Sequence, residues 1–140
     1  MEDREYAVLA WLRLARVFQK IDRRSEQLFR KYELNTAQFD VLAHVGASDG
    51  RSQQDLADAL LVTKGNVSQL LAKLEQRGLI DRTHVRRSNF LSLTAEGRRV
   101  FDHVVPQQES QLSKLFSCLP GRDQAELVRL LRTLDHGIDR

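Results

Sequence analysis

Apolar positions recur at helical spacing along most of the chain, and residues 63–78, TKGNVSQLLAKLEQRG, divide most sharply into two faces. Val67, Leu70, Leu71 and Leu74 follow the i, i+3, i+4, i+7 pattern and define one buried stripe. Thr63 is placed to cap the start of this helix and Gly78 to end it. At about 100° per residue, the opposite face carries Gly65, Gln69, Ala72 and Gln76, flanked by Asn66, Ser68 and Lys73. No carboxylate appears on that arc before Glu75. A merely solvated helix in a chain with 29% charged residues mixes Glu with Lys, so this face points to a negative partner.

The flanking patterns supply the rest of the architecture. Residues 3–31 predict a long helix whose seam runs through Ala7, Trp11, Leu14, Phe18, Ile21, Ser25, Leu28 and Tyr32, coiled-coil-like with one polar interruption. It reads either as an internal core helix or, the better fit, as a helix packed partly against a second subunit. Asn35 or Thr36 caps a second helix with Phe39, Leu42, Ala43 and Gly46 as its buried positions. Ser52 opens SQQD, a capping-box-like start with Asp55 where Glu or Gln is commoner, and Leu56, Ala57, Leu60 and Leu61 follow as an inner face. With a brief turn at residues 61–63, this short helix and the next form a helix-turn-helix candidate.

Residues 79–83 (LIDRT) and 90–93 (FLSL), joined by HVRRSN, read as an antiparallel hairpin with a basic tip, a wing. Thr94 caps another long helix carrying Phe101, Val105, Leu112, Leu115 and Leu119, in which Pro106 should bend or break the run. After Pro120 and Gly121, a last helix places Leu127, Leu130, Leu131, Leu134 and Ile138 on one stripe. The expected fold is mainly α with a small β-hairpin wing. A winged helix-turn-helix lobe over residues 35–100 lies between dimerisation helices at 1–34 and 101–140.

Composition narrows the partners. A chain of 140 residues with 41% hydrophobic content, two prolines and seven glycines suits one ordered, mostly helical domain. The formal charge of +3 permits nucleic-acid binding without suggesting it. Distribution says more: Arg82, Arg86, Arg87, Arg98 and Arg99 face a single carboxylate, Glu96, between residues 82 and 99. Such a run can be simple solvation, but beside a carboxylate-poor helix face phosphate contact is the stronger reading. The start MEDRE lacks the regions of a secretion signal, and no apolar run approaches the ~20 residues of a membrane span, so no membrane role is expected and the chain reads as cytoplasmic.

The order LADALLVTKGNVSQLLAKLEQRGLIDR, a paired-arginine tip, then LSLTAEGRRV resembles the MarR family of bacterial winged helix-turn-helix regulators over essentially the whole chain. The resemblance implies a homodimer on pseudo-palindromic double-stranded operator DNA, probing half-sites about one helical turn apart and acting as a repressor released by a small molecule or an oxidant. Within it, Gln69 and Asn66 suit adenine, Lys73 and Lys64 suit guanine or phosphate, and Gly65 permits close approach of the backbone. Thr63, Ser68 and the helix N-terminus suit phosphate. The family's minor-groove arginine matches Arg87, with Arg86 beside it. Here Val85 stands where the family usually has an acidic residue, and the wing is about three residues shorter.

Sensing leaves a thinner trace. The family's ligand crevice would involve Trp11, Asp40, His44 or His103; Asp40 also suits an ordinary helix surface. The four histidines lack metal-site spacing, so no metal or other cofactor is expected. Cys118, among Leu115, Phe116 and Leu119, is expected to be buried rather than reactive. No nucleophile–base pair, carboxylate pair or phosphate-cradling loop suggests an enzyme. The alternative is a winged-helix protein-interaction module without direct DNA reading.

Overall fold

The structure is a computed structural model that describes residues 2–48, 51–60 and 64–139, with the backbone alone for Arg51 and Lys64. Its elements are α1 (Asp3–Arg30), α2 (Thr36–Ala47), β1 (Arg51–Ser52), α3 (Gln53–Leu60), α4 (Lys64–Gln76), β2 (Ile80–Val85), β3 (Ser88–Leu93), α5 (Ala95–Phe116) and α6 (Gly121–Ile138). The mainly α fold with a hairpin wing is therefore present. Thr63, Leu61 and the turn at residues 61–63 lie outside the described residues, as does the Lys64 side chain.

Local chemistry sets the helix ends. Asn35 Oδ1 accepts from Gln38 N at 2.8 Å and Gln38 Oε1 accepts from Asn35 N at 3.0 Å, a reciprocal box at the start of α2. Ser52 Oγ accepts from Asp55 N at 3.0 Å and Asp55 Oδ2 from Ser52 N at 3.4 Å, so the shorter Asp completes the box at α3. Beyond α4, Gly78 takes the left-handed conformation at φ +71, and Leu79 N reaches back to Leu74 O at 3.0 Å. Glu33 does the same after α1 at φ 56, and Leu34 N bonds to Phe29 O at 3.0 Å. There the Arg77 guanidinium donates to the carbonyls of Glu33 at 2.6 Å and Tyr32 at 3.0 Å.

The chain forms two compact units, Met1–Gln108 and Glu109–Arg140. In the first, Phe29, Val41, Leu42, Val45, Leu56, Val67, Leu71, Leu74, Ile80, Leu91 and Val104 are each under 2% exposed. α2 sits at the centre, packed by α1, α3, α4 and β3. Its burial is broader than a single stripe: Val41 and Val45 are buried while the expected Ala43 and Gly46 are half-buried. The sheet order is β1-β3-β2, all antiparallel, and the two-residue β1 is too short to leave a sequence pattern. β2 and β3 pair from Ile80↔Leu93 to Val85↔Ser88, so the strands extend past residues 79–83 and 90–93 and the expected HVRRSN loop shrinks to Arg86 and Arg87.

Three helical expectations change. On α1 only Ser25 and Leu28 of the seam are buried; Trp11 and Phe18 are 65% and 66% exposed in the single chain. Ser25, the polar interruption, accepts from Gln108 Nε2 at 2.9 Å. α5 runs unbroken through Pro106, which is exposed, so the lost N–H donor falls on the solvent side. Gly97 and Val104 are its buried residues, while Phe101 and Val105 are half-buried. In the second unit Gln124 Nε2 closes the turn before α6 by donating to Phe116 O and Leu119 O, both at 3.0 Å. Cys118 is exposed on that turn rather than buried. Leu130, Leu131, Leu134 and Ile138 of α6 are exposed, and Leu127 is half-buried.

Gly97 meets the hairpin backbone so closely that an added Cβ would lie 1.9 Å from Leu79 O. Thr94 Oγ1 fixes the same junction by accepting from Gly97 N at 2.9 Å and donating to Gly78 O at 2.5 Å. Gly97→Ala should therefore lower stability by about 1–3 kcal/mol or more in a urea titration. An unchanged midpoint would show that the junction can open without cost.

Candidate nucleic-acid interface

The division of α4 into two faces is realised side chain by side chain. Val67, Leu71 and Leu74 are fully buried and Leu70 is half-buried, which turns Gly65, Asn66, Gln69, Ala72, Lys73 and Gln76 outward. Ser68, at the edge of this arc, is half-buried. The first turn of α4 contains no acidic residue, leaving the partial positive charge of the helix start uncompensated by its own side chains. Gly65 has nothing within 4 Å of a built Cβ. Packing within the described residues gives no reason for glycine there.

Glu75, the one carboxylate of α4, does not project as a free charge. Arg82 of β2 pairs with it, donating from Nε at 2.9 Å and also from Nη2. This corrects the picture of a five-arginine basic surface. Arg98 donates to Gly46 O at 3.3 Å and lies 4.9 Å from the Phe101 ring centroid, and Arg99 pairs with Glu96. Arg86 and Arg87 remain, both exposed, and among the described residues neither has a side-chain hydrogen bond or ion pair.

The backbone at the tip is short. Since Val85 pairs with Ser88, Arg86 and Arg87 alone connect the strands, and Arg86 takes φ 56. A left-handed conformation costs a non-glycine residue roughly 1–2 kcal/mol, and glycine is the usual occupant of such a turn. The sequence keeps arginine there instead.

Behind the tip lies a set of contacts that the sequence pattern did not single out. Gln53, buried at the start of α3, accepts from Arg82 Nη1 at 3.3 Å and from Asn89 Nδ2 at 3.3 Å through the same Oε1 atom. Asn89 Oδ1 in turn lies 2.9 Å from His84 Nδ1, directly across the hairpin. The only signal in the sequence was the period-two alternation that places Arg82 and His84 on one face of β2.

Of the expected ligand residues, Asp40 lines a cavity of about 600 Å³ between α1 and α2, together with Phe18, Asp22, Glu26, Leu34 and Thr36. Thr36 Oγ1 donates to Asp22 Oδ1 at 3.3 Å on its wall. His44, one helical turn after Asp40, acts on it electrostatically but does not line the space, and Trp11 is not part of it. His103 belongs to a different cleft, with Arg77 and Arg99. Among the described residues no cluster of His, Cys, Asp or Glu could hold a metal ion, and no helix is long and apolar enough to cross a membrane.

Comparison with known proteins bears on this geometry. The model of the MarR family matches residues 32–88. An uncharacterised HTH-type transcriptional regulator of Bacillus cereus is 30% identical over 136 residues, covering 97% of this chain and 92% of the relative. AbsC, a MarR family transcriptional regulator from Streptomyces coelicolor, superposes with a TM-score of 0.88 at 22% identity over 99% of this chain and 97% of its own. MepR of S. aureus, in a complex with DNA, does so with a TM-score of 0.77 at 25% identity over 86% and 94%.

Burial raises the Asp40 carboxyl above its ordinary value of 3.8; the His44 charge opposes this and the Asp22 charge adds to it. A carboxyl with a raised folded-state pKa contributes fully to stability below its unfolded pKa and loses that contribution as pH rises through the folded value. Asp40→Asn should accordingly raise the urea midpoint at pH 7, and the gain should fade as pH drops below 3.8. A gain independent of pH would contradict the assignment.

Proposed function

Because the chain belongs to the MarR family of transcriptional regulators, we propose that it binds operator DNA as a homodimer, with α4 in the major groove and Arg86 and Arg87 against the adjacent minor groove. One observation supports this reading: the outward face of α4, its lone carboxylate neutralised by Arg82, stands on the same lobe as two arginines that have no side-chain partner among the described residues. The amides of Gln69 and Asn66 are of the type that suits adenine, and Lys73 supplies a cation for guanine or phosphate, a role also assigned to Lys64, whose side chain lies outside those described. Gly65, Ser68 and the start of α4 are assigned to phosphate, and so is Thr63, which lies outside the described residues.

The exposed apolar faces of α1 and α6 support the homodimer. Tyr6, Trp11 and Phe18 on one helix and Val128, Leu134 and Ile138 on the other are each more than half exposed in the single chain. Monomeric proteins rarely leave so many large apolar side chains of one helix in water. Two-fold symmetry then sets two α4 helices about one helical turn apart, roughly 34 Å, on one side of the duplex. In this reading the protein acts in the cytoplasm as a repressor, and a small molecule in the cavity beside Asp40 releases it from DNA.

Selection from a random duplex pool, then anisotropy titration of the winner at several salt concentrations, tests the reading. A pseudo-palindrome should emerge, with affinity falling by a log–log slope of about −0.9 per phosphate neutralised. Arg87→Ala should weaken binding to all sequences and flatten the slope by about one contact. Gln69→Ala should instead reduce discrimination at one base pair by about 1–3 kcal/mol. Gly65→Ala should preserve stability and lose affinity. Absence of any selected duplex, with the protein folded, would overturn the proposal.

A further inference from the structure

We propose that Gln53 is a positioning residue for DNA binding, locking the wing hairpin to the helix-turn-helix so that Arg86 and Arg87 reach the duplex in register with α4. This rests on the DNA-binding reading above and assigns to it a part that neither α4 nor the wing supplies.

Gln53 is one of two buried polar residues among those described, and the other, Ser25, is far along the chain on α1. Burying a side-chain amide is unfavourable unless its hydrogen bonds are made, so its partners are part of its placement. Its Oε1 receives one donor from each strand of the hairpin: Arg82 Nη1 from β2 and Asn89 Nδ2 from β3, both at 3.3 Å. The backbone immediately before it is tied to the same hairpin, because Ser52 pairs with Phe90. Gln53 thus stands where α3 meets the wing.

Arg82 carries the link onward. The same guanidinium that reaches Gln53 is paired with Glu75 on the last turn of α4, so one side chain spans α3, β2 and α4. Toward the tip, Asn89 hands the link to His84, two residues before Arg86. Beyond Phe90, where pairing with β1 stops, only two strands run on to the tip, and a two-stranded ribbon is marginal by itself. With the tip reduced to two residues, the arginines have no loop length to compensate for a misplaced hairpin. Their reach depends on hairpin orientation, which the Gln53 contacts fix.

The test compares wild-type protein, Gln53→Met and Arg86→Ala/Arg87→Ala in all combinations, using the selected duplex and its salt dependence. Met preserves length and apolar packing while removing the acceptor. Gln53→Met should reduce affinity about tenfold and flatten the salt slope as the double arginine variant does, yet cost less than about twofold when the arginines are already absent, because coupled sites are non-additive. Asn89→Ala, which removes a donor from the half-buried hairpin face, should show the same dependence on the arginines even if Gln53→Met folds poorly. Equal losses in both arginine backgrounds, or no loss from either variant, would overturn the inference while leaving DNA binding intact. If wild-type protein selects no duplex, the underlying reading fails first and the inference with it.

Discussion

A helix 13 residues long can bury only one face, and burial of Val67, Leu71 and Leu74 decides what α4 presents to the outside. The buried stripe is held by α2 and α3 behind it and by the strand that follows, so every neighbouring element fixes its rotation. Among the described side chains, what remains outside is an arc of small and amide groups with Lys73, and the helix start has no acidic residue. Glu75 would spoil that arc as a free charge. Its pairing with Arg82 turns a free charge into a joint between α4 and the hairpin.

The same joint explains how much of the protein could be read from sequence. Features set within a few residues were legible: the cap at Asn35 or Thr36, the Ser52 box, the Gly78 terminus, the division of α4 and the existence of a hairpin all follow from short-range spacing. Features that depend on what packs across the chain were not. α2 offered a narrow stripe, yet four elements surround it and bury Val41 and Val45 as well. The arginine cluster looked uniform in sequence, whereas Arg82 and Arg98 find partners across the fold and Arg99 pairs with Glu96 on its own helix, which leaves the tip pair exposed. Gln53 had no pattern at all, since its role comes from two strands brought to it by folding.

Other differences have equally local physical causes. Pro106 was expected to bend or break α5; the helix continues through it, with the ring on the exposed side, where solvent can satisfy the orphaned carbonyl. The wing tip is shorter than the sequence suggested because Val85 and Ser88 continue the ladder instead of joining the loop. Cys118 was judged by its apolar neighbours in sequence, yet it falls on the turn after α5 and faces outward. Most of the apolar residues expected on the stripes of α1 and α6 are exposed in one chain, and that exposure is what supports a second copy in the proposed reading.

Affinity cleavage tests the placement of α4 most directly. The chain has one cysteine, Cys118, so Cys118→Ser with Ala72→Cys gives a single thiol on the outward face of α4 for an iron chelate. On the selected duplex, scission should centre on the major groove of each half-site, in two clusters about one helical turn apart. Tight binding of the conjugate with scission absent, or no different from that of a chelate placed on Cys118 itself, would contradict a recognition helix seated in the groove.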